Sequence, residues 1–222
     1  MIIAEAKPNS ELLEMVSDCS NVLVVGCKGC VTVCNVGGAK EVGVLASALK
    51  IARRRQGRTI AVDEFTFERQ CDPEYIDEIK DRIGDYDAVI SIACGVGPQF
   101  LSERYPSASV FPGVNTKFMG GAVAHGVWEE RCAGCGQCVI HHFGGICPIA
   151  RCSKSLQNGP CGGSDHGMCE ISKDVDCIWD AIVKRMMSRG RMDELMKFRP
   201  PKSWTTARDG GPRKMTREEL KI

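Results

Sequence analysis

The sequence predicts an α/β protein: a mostly parallel sheet with flanking helices, then a cysteine-rich, ferredoxin-like cluster-binding segment, then a C-terminal helix and tail. Three observations carry this prediction. Short β-branched runs alternate with amphipathic segments over residues 1–118, the pattern of a sheet built from strand–helix units. Glycine, cysteine and short polar turns dominate residues 119–175, where no apolar core is visible in the pattern. Residues 176–222 open on an apolar stripe at helical spacing and continue into proline, glycine and charge.

The first predicted strand is NVLVVGC (Asn21–Cys27), a β-branched run ending in glycine and cysteine. AKEVGVLASALKIARRRQG follows as a helix, with Val42, Leu45, Leu49 and Ala52 at helical spacing, basic residues in the last turns and Gly57 closing it. The arginines of ARRRQGR read as a solvated helix end that complements the dipole. RTIAVDEF is the second strand. DPEYIDEIKDRIG is a second helix, capped by Asp72, with Pro73 in its first turn and Ile76, Ile79 and Ile83 on one face. AVISIAC and ASVFPGV supply a third and a fourth strand. Towards the C-terminus, Ile178, Trp179, Ile182, Val183 and Met186 form the helical stripe, Gly190 interrupts it, and RMDELMKF adds a shorter helix. The tail RPPKSWTTARDGGP reads as an extended segment for partner docking, with Trp204 as its anchor.

A net charge of +1 gives no electrostatic footprint for nucleic acid. No apolar run approaches the ~20 residues that span a bilayer, and the acidic N-terminal stretch is unlike a signal peptide. The expected location is the cytoplasm. Structural disulfides rarely persist there, so fourteen cysteines point to a metalloprotein.

The cysteines fall into two groups. Cys27, Cys30 and Cys34 lie at and after the first strand, Cys71 follows the second, and Cys94 ends the third. In a parallel sheet all five reach the carboxyl edge, where such sheets place their ligands. Cys132, Cys135 and Cys138 form C-x2-C-x2-C, the core of a bacterial ferredoxin run, and Cys147 is followed by Pro148. Cys152, Cys161 and Cys169 complete the second group. Glycines 134 and 136 let amide N–H groups approach the sulfurs. Twelve ligands suit up to three 4Fe–4S clusters. Zinc is the competing reading, and a mixed protein with zinc at one site stays open. Cys19 and Cys177 read as packing residues, and His141 and His142 as surface groups or groups that hydrogen-bond to a ligand. The chain has no G-x-G-x-x-G after a strand, no P-loop and no nucleophile elbow, so no self-sufficient catalytic site is expected.

GCKGCVTVCNVGGAKEVGVLASAL, Cys71, ACGVG, CAGCGQCVIHHFGGICPIARCSKSLQNGPCGG and GMCE together resemble the MetV-type small, cysteine-rich subunit of methylenetetrahydrofolate reductase. The resemblance implies a non-catalytic iron–sulfur subunit, inactive alone, that passes electrons between a donor and the FMN of a MetF-type catalytic partner. Further electron-transfer subunits are compatible with it. All twelve cysteines of the two groups match the family's pattern. Two other functions compete: a zinc-binding structural or regulatory subunit of the same complex, and a corrinoid-linked methyl-transfer accessory protein.

Overall fold

The computed structural model describes residues 1–221. It divides into two compact units, Met1–Phe118 and Met119–Ile222. The elements of the first are β1 (Ile2–Ala6), α1 (Asn9–Met15), β2 (Asn21–Cys27), α2 (Cys30–Val33), α3 (Ala39–Arg55), β3 (Ala61–Phe67), α4 (Pro73–Ile76), β4 (Ala88–Ser91), α5 (Val96–Arg104) and β5 (Val110–Pro112). Strand β6 (Val114–Ala124) begins in this unit and ends in the second.

Four strands form a fully parallel sheet in the order β3-β2-β4-β5. The chain leaves β2 for β3 on one side and then crosses to β4 on the other. The sheet therefore switches direction between β2 and β4, and the crevice beyond their carboxyl ends is where such sheets bind ligands. Strand β2 is buried along nearly its whole length because both faces are covered. Val22 and Val24 pack with Leu12, Val42, Leu45 and Leu49 from α1 and α3. Leu23 and Val25 face the opposite way, towards Ile76, Ile79, Ile83 and Leu101.

The predicted helix from Asp72 is shorter than its pattern suggests. Asp72 does cap it, its Oδ1 accepting from the Glu74 N–H at 3.3 Å. Only α4 is α-helical, and separate 3-10 turns at Asp77–Ile79 and Ile83–Asp85 follow. Ile76, Ile79 and Ile83 are nevertheless all buried. The arginine cluster is solvated at Arg54, Arg55 and Arg58, as its pattern suggests, but not at Arg53: it is 3% exposed, and its guanidinium donates to the carbonyls of Val16, Ser17 and Cys19. It joins the end of α3 to the loop that follows α1. The start of α3 is closed by its own Glu41, whose Oε2 accepts the Gly38 N–H at 2.9 Å.

In the second unit, β6 turns through His125 and Gly126 into β7 (Val127–Cys132), forming an antiparallel hairpin. Gly126 has φ +75°, a conformation its missing Cβ permits. Then come a 3-10 turn at Ile140–Phe143, α6 (Pro148–Arg151), and the two-stranded sheet of β8 (Met168–Cys169) and β9 (Ser172–Asp176). The helices α7 (Ile178–Ser188) and α8 (Met192–Met196) follow. The absence of an apolar core in the cysteine-rich segment is corrected here. Phe143 and Ile146 are buried with Ile178, Trp179, Ile182 and Met186 of α7. Periodicity hides this core because part of it comes from irregular turns and the rest from a helix thirty-odd residues later. No described helix is long and apolar enough to cross a membrane.

Candidate metal centre

The sheet topology gathers four of the five N-terminal cysteines. Cys27 ends the central strand β2, Cys30 opens α2, Cys71 follows β3, and Cys94 follows β4. All four line one cavity of about 90 Å³, together with Val31, Arg69, Gln70, Ala93 and Gly97. Cys34 is not among the lining residues. It is buried, and its thiol donates to the Ile2 carbonyl at 3.6 Å.

Close backbone packing builds this cavity. The Cys27 N–H donates to the Gly37 carbonyl at 2.8 Å, and the Thr32 hydroxyl donates to the Cys27 carbonyl at 2.7 Å. Gly37 lies directly against Val31 and the Ile92 carbonyl, where no Cβ fits. The loop of Cys71 is fixed by Gln70, which is fully buried. Its Nε2 donates to the carbonyls of Val25 and Gly26 at 3.2 and 2.8 Å, and its Oε1 accepts the Ser91 hydroxyl at 2.6 Å. One amide side chain thus connects the ends of β2 and β4 to the residue before Cys71.

Several sulfurs in both units receive backbone N–H groups. Gly29 donates to Cys27, Gly134 to Cys132, Gly163 to Cys161 and Ala150 to Cys147, each at 3.4 Å. Burial pushes the Cys94 thiol up, and the neighbouring Cys30 and Cys27 add to this, while the N–H groups of Val96 and Gly97 pull the other way. Cys169 is held below the ordinary thiol range, first by the Ile171 N–H and then by the Ser153 hydroxyl, 3.7 Å from its sulfur. Cys19 and Cys177 instead pack against apolar clusters. Burial pushes the Cys19 thiol up.

In the second unit, Gly134 and Gly136 have φ +64° and +74°, which turns the Cys132–Cys138 loop tightly. Cys132, Cys138 and Cys161 are exposed, and Cys135, Cys147, Cys152 and Cys169 are half-buried. Cys152 leans on the core around Trp179. His142 Nδ1 lies 3.0 Å from Glu194 Oε1, and His141 stacks on His142.

Among the described residues no three His, Cys, Asp or Glu side chains are gathered closely enough to hold a single metal ion. The cavity at the sheet edge nonetheless fits a sulfur-ligated group. Its donors are four thiols with no histidine or carboxylate among the lining residues, a soft set suited to iron–sulfur or zinc. A cluster sets its four ligands on different irons and so holds them farther apart than one tetrahedral ion does.

The sequence misses where the tail lies. Thr206 Oγ1 donates to the Cys135 carbonyl at 3.0 Å, and the Arg208 N–H donates to the Gly134 carbonyl at 3.3 Å. Proline and glycine mark this tail as irregular, and no residue pattern signals where it lies.

No curated protein and no solved structure matches this chain. Residues 111–205 match the family model described as methylene-tetrahydrofolate reductase C terminal, and residues 1–110 lie outside that match. The match relates the cysteine-rich segment to methylenetetrahydrofolate reductase.

Proposed function

We propose that this chain is the iron–sulfur electron-transfer subunit of a methylenetetrahydrofolate reductase complex, passing electrons between a donor and the FMN of a MetF-type catalytic subunit. The observation that carries the reading is the convergence of Cys27, Cys30, Cys71 and Cys94 on one cavity at the switch point of the sheet. The relation of residues 111–205 to methylenetetrahydrofolate reductase supplies the reaction context. Cys132, Cys135, Cys138, Cys147, Cys152, Cys161 and Cys169 are the proposed ligands of the second unit, with 4Fe–4S clusters as the group. Bound clusters would supply one-electron carriers, which a two-electron flavin can fill or empty stepwise.

The chain's own residues would hold these carriers. Val31, Ala93 and Gly97 wall the first cavity with apolar surface. Backbone N–H groups point at the sulfurs of Cys27, Cys132, Cys161 and Cys147. Gln70 fixes the spacing of the Cys71 loop from β2.

Iron and acid-labile sulfide analysis of anaerobically purified protein tests the reading, with electron paramagnetic resonance of the reduced protein. The expected result is iron and sulfide in equal amounts and a reduced-cluster signal. Zinc as the bound metal, with no iron, would instead support the structural-subunit reading. Cobalt with a red chromophore would support the corrinoid reading.

A further inference from the structure

Helix α3 turns an apolar stripe to solvent. Val44 is 62% exposed and Ile51 is 59% exposed. They stand two turns apart on one helical face, with Ser47 and Ala48 between them, a spacing at which one helix seats against another. The opposite face of α3, with Val42, Leu45, Ala46 and Leu49, already serves the core. The stripe is therefore a second apolar face that folding of this unit does not use.

A cavity of about 290 Å³ opens beside the stripe. Its walls are mainly apolar: Leu12, Val36, Leu45 and Ile92, with Val44 and Ala48 of the stripe itself. An apolar void of ~150 Å³ takes up benzene, so this one has room for a large apolar side chain inserted from outside. Four cations frame the stripe: Lys40 in the first turn of α3, Lys50 beside Ile51, and Arg54 and Arg55 in the last turn. All four are exposed, and among the described residues none forms an ion pair. The helix dipole favours Arg54 and Arg55 where they stand but disfavours Lys40. Nearby carboxylates are engaged elsewhere, Glu41 with the Gly38 N–H and Glu11 with Lys7.

This cavity also backs onto the four cysteines of the sheet edge. Val36 and Ile92 line the one, and Val31 and Ala93 line the other. The Val36 N–H donates to the Val31 carbonyl at 3.1 Å, and Gly37 fits against Val31 and the Ile92 carbonyl. We propose that this face of α3 is the docking surface for the FMN-bearing catalytic subunit. That partner seats a helix on the stripe, inserts an apolar side chain into the cavity and sets carboxylates against the four cations. Its identity rests on the reading of this chain as a reductase subunit, and its chemistry on the stripe, the cavity and the charges. Docking here brings the partner's surface to the loop 31–37 that walls off the four thiols. An anionic lipid surface would meet the cations and the stripe, but it supplies no side chain to fill a walled cavity.

The test titrates the full chain, purified anaerobically, with the FMN subunit of methylenetetrahydrofolate reductase from the same cells, followed by calorimetry. The variants are Val44→Glu, Ile51→Glu, the double Lys40→Glu/Arg54→Glu, and Met187→Glu as a control on α7 that is as exposed as Val44. Urea unfolding checks that each is folded, and either apolar variant decides alone if the other is not. Val44→Glu and Ile51→Glu are expected to weaken binding about tenfold, and Met187→Glu to leave it unchanged. Wild-type binding is expected to weaken as salt rises, and the double charge reversal to blunt that dependence. Wild-type affinity in the apolar variants overturns the proposal, as does an equal loss in Met187→Glu or a salt dependence that charge reversal leaves intact. Wild type that does not bind the FMN subunit overturns it too. A dimer of this chain, or binding to phosphatidylcholine–phosphatidylglycerol vesicles, that Val44→Glu abolishes while FMN-subunit affinity stays intact would assign the face to another occupant, and the proposal falls. Docking does not depend on the metal held. Zinc in place of iron ends the electron-transfer reading, and the same affinities still decide this proposal.

Discussion

Gln70 shows how much of the site depends on one side chain. It satisfies two backbone carbonyls at the end of β2 and the Ser91 hydroxyl at the end of β4, all out of reach of water. Gln70→Leu removes one partner from each, and although the Val25 carbonyl keeps the Ile92 N–H and the Ser91 oxygen keeps the Ala93 N–H, stability is expected to fall by about 1–3 kcal/mol. Urea unfolding measures this, and an unchanged midpoint would show that the groups find other partners. The cysteines themselves divide by environment. Cys27→Ser and Cys132→Ser are each expected to remove about one cluster's worth of iron. Cys19→Ser and Cys177→Ser are expected to leave iron content unchanged, because both side chains pack against apolar neighbours. Iron loss from the second pair, measured per chain, would contradict the assignment. Strand-end position alone pointed to Cys27, Cys71 and Cys94, because a parallel sheet brings its carboxyl ends together. Gln70 was invisible in the sequence, since its role depends on three partners from 21 to 45 residues away.

At the scale of elements, α7 organises the second unit. Trp179 packs edge-on against Phe143, with ring centres 5.5 Å apart, and its Nε1 donates to the Leu156 carbonyl at 3.1 Å. Trp179→Ala is expected to cost about 3–5 kcal/mol, measured by thermal or urea unfolding. This core also changes what metal removal should do. The residues packed around Trp179 keep their apolar contacts, whereas the exposed hairpin and the loops of Cys132–Cys138 and Cys161–Cys169 do not share them. Limited proteolysis of the stripped chain is expected to cut those loops and spare 139–152 and 178–188. The α8 segment adds a pH response. Glu194 is held down to about 2, first by Lys197 and then by Arg199, with His142 adding to it. On acidification the unfolded chain takes up this proton first, near the ordinary value of 4.5. The stability that Glu194 contributes is therefore complete above that value and is lost as pH falls towards 2. Glu194→Gln should flatten the stability profile in that window, and an unaltered slope would count against these contacts. The apolar stripe of α7 was legible in the sequence. The hairpin of β6 and β7 was not, because its mostly exposed, glycine-containing strands lack the apolar alternation that marks a half-buried sheet.

At the scale of the whole molecule, each unit carries its own apolar core and its own set of cysteines. The tail reads in sequence as a docking extension. The structure fastens it to the second unit: Arg199 exchanges hydrogen bonds with Asn158 at 2.8 and 3.0 Å and lies over Phe143, and Thr206 reaches Cys135. Truncation before Arg199 is therefore expected to deplete iron bound at Cys132–Cys138 and to leave the iron of the first unit in place. The half-exposed Trp204 remains a candidate anchor for a partner. The central claim is electron transfer to flavin, and it is tested most directly by mixing reduced, iron-loaded chain with the oxidised FMN subunit of a methylenetetrahydrofolate reductase under anaerobic stopped flow. The account predicts that flavin absorbance bleaches as the cluster absorbance of this chain returns, in matching electron equivalents. Flavin that stays oxidised in a complex shown to be formed and loaded would contradict it.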